Sequence, residues 1–506
     1  MLNTVLVTPT SASFELINSD CFKTDPYVVY LNGKKIIEND KNVFSIYDLT
    51  PNTSYSLKLV QKEKEETISF STENKERVVY KNDNLSANDD ATKEIQLALD
   101  NLRANQYLEI QGTYKVVSLF LKSYMTIYLP KGSSLLGETD RNKFPIFHAD
   151  SYSSGIPLGT WEGRVDDCYA SIINGIGVSH ITIYGQGVID CQAQNSDFWI
   201  NHRVKRGARR PKGIFLHTCS DVVFQGISVK NTPSWNQHPF YSKNLIYCDC
   251  TYISPEDSPN TDGIDPESCD NVKILGCYIS DGDDCIAVKS GKYELAQKYK
   301  TPCSNIIIRN CYMEKGHGGV TLGSENSGGI NHLQVSNCIF RHTDRGLRIK
   351  SQRSRGNLAI ISDISFNNIK MDDVKAPLVI NAFYKAGNDE IDYRFDRDYR
   401  EFDSLTPVFK NFAFSNMELK DVSYGVGYFL GLPESKLAEV KVEDITVTYK
   451  KDAVKGEMAM TKEHEEFLKI GFYVSNVTKL IIKNVKFLDE PSQKYIIDNV
   501  DDIVEE

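Results

Sequence analysis

Cys269-Asp270-Asn271-Val272-Lys273-Ile274-Leu275-Gly276-Cys277 sets a pattern that recurs along most of this 506-residue chain. The pattern has a polar start, alternating apolar residues, a short polar step and then a small residue. Similar runs lie at residues 219–227, 303–311, 330–338, 361–369, 409–417, 437–445 and 477–485, with a weaker one at 178–186. Alternation of apolar and polar residues is typical of β-strands rather than helices.

The copies begin roughly 20 to 50 residues apart, which indicates a solenoid built from short strands and turns. The fold class that we predict is all-β, a right-handed parallel β-helix with a small N-terminal β-sandwich domain. In such a helix each coil stacks about 4.8 Å above the previous one, the ordinary spacing between strands. Residues that are one coil apart in sequence are therefore neighbours in space.

Four polar clusters follow one another at intervals of about one coil. They are Asn260-Thr261-Asp262, Asp283-Asp284, Gly316-His317-Gly318 and Arg348-Ile349-Lys350. Stacked at strand spacing, they form a ladder about 15 Å tall on one face. Ordinary turns contain Gly, Asn and Asp. Turn chemistry accounts poorly, however, for a histidine between two glycines, or for adjacent carboxylates with a third one coil below.

Composition and charge narrow the class of protein. Apolar residues make up 41% of the chain and aromatic residues 10%, as in globular proteins, and the formal net charge is −10. The acidic balance disfavours nucleic acid as a partner, and no apolar run is long enough to predict a membrane span. Residues 1–9 lack the basic and apolar regions of a secretory signal. We expect a cytoplasmic protein if Met1 is the native start, and otherwise a periplasmic or secreted one.

The chain has twelve cysteines. An even number permits disulfides, but Cys277, Cys311 and Cys338 share one position in the repeat. Such a register indicates interior stacks in which cysteine acts as a small apolar residue. We therefore favour free thiols in a reducing compartment. No Cys/His spacing resembles a zinc site, and we predict no metal or other cofactor.

We predict three parts along the chain: a fibronectin type III-like β-sandwich at residues 1–76, a linker at 77–88, and the β-helix domain at 89–506. The segment Leu49-Thr50-Pro51-Asn52-Thr53-Ser54-Tyr55 resembles the loop and tyrosine corner of a fibronectin type III domain. Residues 88–100 have the pattern of a capped amphipathic helix. Such a helix covers the first coil, whose strand edges would otherwise be exposed.

Two segments interrupt the repeat. Residues 139–172 do not repeat cleanly, and we interpret them as an inserted loop over one face, since long insertions are often functional. Residues 199–213 hold a basic cluster of Arg203, Lys205, Arg206, Arg209, Arg210 and Lys212. In an acidic protein this cluster favours attraction of an anionic substrate; a solvated surface loop explains it equally well.

The ladder has the groups that glycoside hydrolysis needs. One protonated carboxyl donates to the leaving oxygen, and a second carboxylate acts on water or on the sugar. Crowding of like charges raises at least one pKa in such a cluster. In a regular strand Asp283 and Asp284 would point to opposite faces, so the backbone must turn there, as Gly282 permits. Arg348 and Lys350 alternate correctly to share a face, and two cations suit a substrate that carries a carboxylate.

All four clusters, in this order, resemble the motifs of the polygalacturonase family of glycoside hydrolases (family 28). Longer blocks resemble its bacterial exo-acting members: residues 260–269 (NTDGIDPESC), 316–325 (GHGGVTLGSE) and 343–350 (TDRGLRIK). The resemblance covers roughly residues 85–490. One motif alone would be weak support, but four in order at coil spacing are strong. The resemblance implies a right-handed parallel β-helix that performs inverting hydrolysis of α-1,4-linked galacturonate.

The resemblance also implies roles for the carboxylates. Asp283 is expected to be the general acid, while Asp262 and Asp284 hold and activate the water. His317 is expected to contact the substrate and to support the proton of the acid.

Four further residues are expected to bind the substrate, an anionic poly- or oligogalacturonide. Arg348 and Lys350 would bind a carboxylate near the cleaved bond, beside Asn260. Tyr384 resembles a family tyrosine next to the leaving-side sugar, in a looser local match. Spacing alone does not choose inversion over retention, because that choice depends on the separation of the carboxyls.

The insertions at 139–172 and 199–213, together with the N-terminal module, suggest an exo-acting enzyme, because an inserted loop can close one end of an open groove. Three alternatives stay open. A rhamnogalacturonan hydrolase would place a neutral sugar near the cations. A pectate-lyase-like enzyme would bind Ca²⁺ through Asp262, Asp265, Asp281, Asp283 and Asp284. A non-catalytic carbohydrate-binding β-helix would keep its function without the acid.

Overall fold

Parallel strands stacked coil upon coil make up most of the chain. The computed structural model describes residues 1–386 and 389–506. Its largest sheet joins 26 strands, nearly all by parallel pairs between successive coils. The predicted all-β fold and its right-handed parallel β-helix are confirmed.

Three series of strands form the faces of the solenoid. The face that carries the ladder, here called the site sheet, contains Leu119–Phe120, Ile173–Ile176, Ile214–His217, Gln237–Phe240, Asp284–Val288, Gly318–Leu322, Arg345–Lys350, Ala376–Asn381 and Gly425–Leu430. The second series contains Gln106–Ile110, Thr126–Leu129, Ser179–Gly185, Ser220–Gln225, Lys243–Cys248, Asp270–Leu275 and Cys303–Arg309. The third contains Thr113–Val116, Ser134–Gly137, Val188–Asp190, Ser228–Lys230, Thr251–Ile253, Tyr278–Ser280 and Tyr312–Glu314.

From residue 330 onward the second and third series merge into long strands. These are Ile330–Arg341, Ile360–Asp372, Val408–Val422 and Leu437–Tyr449, followed by Ile470–Phe487 and Gln493–Glu505. Shorter elements lie in the loops: Ile146–Phe147, Tyr152–Ser153, Ile156–Pro157, Thr160–Trp161, Arg164–Val165, Cys168–Tyr169, Gly456–Glu457 and Glu466–Phe467, with the α-helix Tyr293–Tyr299 and 3-10 turns at Arg141–Lys143, Ala193–Asn195 and Tyr393–Phe395.

The interior is a set of apolar columns that run through the coils. One column pairs buried residues strand by strand: Val272, Ile306, Leu333, Ile364, Phe412, Val440 and Leu480. Each lies at the same place in the sequence repeat, which is why the repeat predicted the fold. The twelve cysteines are free thiols and are buried.

Residues 1–71 form two antiparallel sheets around a core of their own. One sheet contains Leu2–Val7, Ala12–Leu16 and Val43–Ile46, and the other contains Lys23–Leu31, Lys34–Lys41, Ser54–Gln61 and Lys64–Ser71. In the segment singled out for its tyrosine, the amide of Thr50 donates to the Tyr55 hydroxyl at 2.8 Å.

This N-terminal module is docked on the solenoid through buried polar contacts. The Glu15 carboxylate accepts two hydrogen bonds from the Arg309 guanidinium, both at 2.7 Å, and one from Asn310 at 2.8 Å. Val43 of the module packs directly over Gly276, where an added Cβ would lie 2.4 Å from the Val43 Cβ. Only glycine at this position lets the two parts approach so closely.

The start of the solenoid differs in detail from the prediction. The predicted linker begins inside a strand, Glu76–Tyr80, which pairs in parallel with Gln106–Ile110. The helix expected at residues 88–100 spans Thr92–Asn101, because turns occupy the residues before it. Its buried side chains Ile95 and Leu99 join the apolar interior of the solenoid. Among the described residues, no helix is long and apolar enough to cross a membrane.

A glycine pair tests the docking of the N-terminal module. Gly276 (φ +66°) and Gly132 (φ +88°) both have positive φ, but an added Cβ at Gly132 meets nothing within 4 Å. Gly132→Ala should cost about 1–2 kcal/mol of unfolding free energy from backbone strain alone. Gly276→Ala should cost about 1–3 kcal/mol more because it overpacks the interface. Gly276→Ala should also speed amide hydrogen exchange around Val43. Equal losses of unfolding free energy in the two variants would contradict the docking.

Candidate active site

Parallel register on the site sheet brings the four polar clusters together. Asp284 pairs with Gly318 in the next strand, and Thr321 of that strand pairs with Arg348 in the strand after it. The coil below joins through a bridge between Ile264 and Ile286. The ladder expected from the sequence is thus built by strands Asp284–Val288, Gly318–Leu322 and Arg345–Lys350 together with the turns that precede them.

Three carboxylates meet at the centre of this ladder. Asp262, Asp283 and Asp284 each offer an oxygen, and these oxygens lie within 4.8 Å of one another. Asp262 and Asp284 are buried, while the Asp283 side chain is 20% exposed. Gly282 makes the arrangement possible, because a Cβ there would lie 2.2 Å from the Ser258 carbonyl oxygen. The backbone turns at this glycine, so Asp283 and Asp284 both face the same cleft.

Two cations hold Asp284. The Lys350 Nζ lies 2.8 Å from one carboxylate oxygen of Asp284, and the Arg348 guanidinium lies 3.2 Å from the other. Burial opposes ionisation of this carboxyl, but Lys350 and Arg348 outweigh it and keep the pKa of Asp284 well below its usual range. Asp284 is therefore a fixed negative charge with both oxygens engaged.

Asp262 has a different environment. Its pKa is raised to about 7, mainly by burial; Lys289 opposes the shift, and the neighbouring Asp283 and Asp284 contribute to it. The Lys289 Nζ lies 3.4 Å from Asp262 Oδ2, while the buried Asp262 Oδ1 accepts no hydrogen bond from any residue that the structure describes. One oxygen of Asp262 is thus free to receive a hydrogen bond from a ligand.

Asp283 is the carboxylate that reaches the open cleft. Its Oδ1 accepts from the Asp284 amide at 3.0 Å and lies 3.3 Å from His317 Nδ1. The His317 amide also donates to the Asp283 carbonyl at 2.8 Å, so the backbone fixes the pair. The hydrogen bond to Asp283 raises the pKa of His317, although burial opposes the shift.

The other two predicted binding residues flank this centre. Asn260, in the turn before Asp262, accepts a hydrogen bond from the Arg210 guanidinium through its side-chain oxygen. Tyr384 follows strand Ala376–Asn381, and its ring centroid lies 5.8 Å from the Lys350 Nζ. All eight residues singled out from the sequence therefore lie in or beside one cleft.

The insertion at 139–172 packs along one side of this cleft. Its hairpin of Thr160–Trp161 and Arg164–Val165 reaches forward so that the Gly163 carbonyl accepts from the Lys292 amide at 2.9 Å. Trp161 stacks on Trp235 with the ring centroids 6.0 Å apart.

Most of the basic cluster at 199–213 is engaged inside the protein. Lys205 and Arg209 both pair with Asp166, and Arg206 pairs with Asp197. Buried Arg210 donates to the carbonyl oxygens of Pro233 and Pro259, and buried Lys212 to that of Thr160. These contacts favour a structural role for the cluster over the attraction of an anion from solution.

Comparison with known proteins agrees with this geometry. Residues 157–392 match the family described as glycosyl hydrolases family 28. The matched segment is slightly less than half of the chain. Similar proteins include a probable polygalacturonase of Vitis vinifera, 32% identical over 66% of this chain and 65% of that protein. An endo-polygalacturonase of Pectobacterium carotovorum subsp. carotovorum is 28% identical over 62% of this chain and 78% of that protein.

Solved exopolygalacturonase structures share the fold at lower identity. The Yersinia enterocolitica family 28 exopolygalacturonase superposes with a TM-score of 0.68 at 20% identity, covering 99% of this chain and 98% of that one. The Thermotoga maritima exopolygalacturonase gives 0.56 at 20% identity, covering 82% and 88%. The alignment with the Vitis vinifera relative spans slightly less than two thirds of that protein.

Sequence reasoning missed two titratable residues that lie behind the central carboxylates. Lys289 was not singled out, although alternation along strand Asp284–Val288 places it on the outward face of the sheet. Asp281 was singled out only as a calcium ligand of the lyase alternative. It is fully buried behind the three carboxylates, and burial raises its pKa well above the usual range.

Titration of His317 tests the link between His317 and Asp283. The charged imidazolium is stabilised by the Asp283 carboxylate, so Asp283→Asn should move the pKa of His317 down toward its ordinary value of about 6.5. Proton NMR of the histidine rings measures the shift, with the signal assigned by its loss in His317→Asn. Asp257→Asn, which removes an exposed carboxylate from the loop before Asn260, is the control and should change nothing. An unchanged titration in Asp283→Asn would contradict the coupling.

Proposed function

We propose that this protein hydrolyses the α-1,4-galacturonosidic bonds of polygalacturonate or of oligogalacturonides, and that it acts from chain ends. The observation that carries the proposal is the meeting of three carboxylates, within 4.8 Å, beside the cation pair Arg348 and Lys350. Acids alone suit many glycosides. Acids with two adjacent buried cations suit a sugar that itself carries a carboxylate.

In the proposed reaction Asp283 gives its proton to the glycosidic oxygen as the bond from that oxygen to the anomeric carbon breaks. A water held between Asp262 and Asp284 forms the new bond to the anomeric carbon, and its proton passes to a carboxylate. Asp283 suits the acid role because it is the member of the three that faces the open cleft. His317, which is half exposed beside it, is positioned to contact the sugar.

Charge balance supports the binding roles of Arg348 and Lys350. Asp284 neutralises one of their two positive charges, which leaves one for the carboxylate of a galacturonate unit. Tyr384 beside Lys350 offers a ring on which a sugar can pack, and Asn260 offers an amide. The N-terminal module, residues 1–76, is proposed to be a fibronectin type III-like accessory domain without chemistry of its own.

Inversion of configuration is proposed from the family resemblance rather than from distance. Inverting pairs commonly hold their carboxyls about 6.5–9.5 Å apart, whereas the nearest oxygens here are closer. Proton NMR of the first anomer released from a defined oligogalacturonide decides the point, since inversion of an α-linkage yields the β-anomer.

A calcium-dependent lyase is disfavoured by the same geometry. Three of the five carboxylates that would bind Ca²⁺ already pair with cations: Asp262 and Asp265 with Lys289, and Asp284 with Arg348 and Lys350. A divalent cation would have to displace or face these charges. A lyase would also form products that absorb in the ultraviolet and would stop with a chelator. For a rhamnogalacturonan hydrolase, the spare cation would face a neutral sugar.

Replacement of the proposed acid tests hydrolysis directly. Asp283→Asn keeps the shape of the side chain but removes its proton donor, so turnover of polygalacturonate should fall by about 10²-fold or more. Binding of an oligogalacturonide, measured by calorimetry, should remain. Asp257→Asn is the matched control and should retain full turnover. A non-catalytic carbohydrate-binding protein would behave identically in both variants.

A second glycine pair tests action from chain ends. An exo enzyme releases reducing ends while the viscosity of polygalacturonate falls slowly. Gly163 holds the insertion against the cleft, and a Cβ there would lie 2.6 Å from Glu325 Cγ and 2.8 Å from the Lys292 nitrogen. Gly155, in the same insertion, has similar φ but open space around it. Gly163→Ala should therefore increase the viscosity loss per bond cleaved, and Gly155→Ala should not.

Rapid loss of viscosity by the unmodified protein would contradict the exo assignment. It would leave the hydrolysis itself in place, since both modes use the same carboxylates.

A further inference from the structure

Lys289 is a buried cation that the proposed reaction does not yet use. It directly follows strand Asp284–Val288, and its side chain is 6% exposed. Its Nζ lies 3.0 Å from Asp265 Oδ1 and 3.4 Å from Asp262 Oδ2, and it sits 4.0 Å from the centroid of the Trp235 ring. A lysine is costly to bury unless acids compensate it, and here one of those acids belongs to the central three.

Charged groups surround Lys289 from every element that packs against it. Glu325, from the turn after strand Gly318–Leu322, lies 3.9 Å from the Nζ. Glu267, in the coil below, forms an isolated parallel β-bridge with Lys289 through the backbone. The wider surroundings of Lys289 and Asp262 add His238, the acids Asp281, Asp283 and Asp284, and the cations Lys212, Lys292, Arg210 and Lys350.

Lys289 makes the two carboxylate oxygens of Asp262 different from each other. Lys289 faces Oδ2, and no described residue donates a hydrogen bond to Oδ1. Both oxygens of Asp284 are instead engaged by Arg348 and Lys350. A carboxylate held by two cations is a weak base, whereas a carboxylate with one free oxygen and a higher pKa is a better one. Asp262 is therefore the better acceptor for the proton of the attacking water.

We infer that Lys289 is a positioning residue that keeps Asp262 ionised and turns its free oxygen toward the water. The inference rests on the proposed hydrolysis. In that reaction the water proton moves to Asp262 Oδ1 as the water oxygen bonds to the anomeric carbon, and Asp283 protonates the leaving oxygen. Lys289 itself touches neither water nor sugar. It acts through Asp262, while Asp265 and the Trp235 ring hold the ammonium in place.

The pH profile of kcat/KM tests the inference. Removal of the cation raises the pKa of Asp262, and Asp262 must be ionised to take the proton. Lys289→Met should therefore move the acid limb of the profile up by about one pH unit, which means about tenfold lower kcat/KM below the limb. The profiles should converge at higher pH, with KM little changed. Lys289→Arg should restore the limb, and Lys273→Met, at an exposed lysine one coil below, should leave it unmoved.

A purely structural role would lower kcat/KM by the same factor at every pH, and a limb that stays in place would overturn the inference. Loss of folding is separated by the double variant Lys289→Met/Asp265→Asn. This variant removes the cation together with the buried acid nearest to it, so it avoids an unpaired carboxylate. Its limb should move in the same direction as in Lys289→Met but by less, because loss of the Asp265 charge offsets part of the shift.

A direct titration separates this inference from the proposed function. Carboxyl-carbon NMR of protein labelled in aspartate follows Asp262, with the signal assigned by its loss in Asp262→Asn. The midpoint should move up in Lys289→Met relative to the unmodified protein. An unmoved midpoint would overturn the inference whatever the activity. Failure of the unmodified protein to hydrolyse any galacturonide would instead overturn the proposed function.

Discussion

In-register stacking of parallel strands is the constraint on which the rest of this structure depends. Each coil pairs residue by residue with the next, so the spacing of about 4.8 Å between strands fixes the spacing between side chains. Asp262, Asp284 and Arg348 are far apart along the chain but lie in one cleft because they occupy nearby coils of the same stack. The apolar columns inside the solenoid enforce this register. A slip of one residue would turn the whole polar ladder toward the interior.

The carboxylates of the site are chemically alike, and their surroundings make them different. Asp284 is buried between two cations, Asp262 is buried with one cation and one free oxygen, and Asp283 reaches the cleft beside His317. Opposite charges lower the pKa of a carboxyl, and burial raises it. These two effects shift the pKa values of Asp262 and Asp284 in opposite directions, while access to the cleft sets the proposed acid Asp283 apart.

Much of the fold followed from local pattern, while parts of the site depended on contacts that the pattern does not contain. The repeat around Cys269–Cys277 predicted the coils, and the glycine before Asp283 predicted a turn that lets both aspartates share a face. The basic cluster at 199–213 illustrates the limit. Its residues suggested an anion-attracting surface. Asp166 of the first insertion pairs with Lys205 and Arg209, however, and Asp197, just before the second insertion, pairs with Arg206.

The sequence by itself determined the solenoid, the order of its coils and the ladder of eight polar residues. Alternation and repeat length are local properties, and a solenoid converts them directly into spatial neighbours. Only the tertiary structure decided where the 139–172 insertion packs and that Lys289 faces Asp262. It also decided how closely the N-terminal module meets Gly276. These contacts join segments with no fixed sequence spacing between them, so packing and charge compensation select them after the coils have formed.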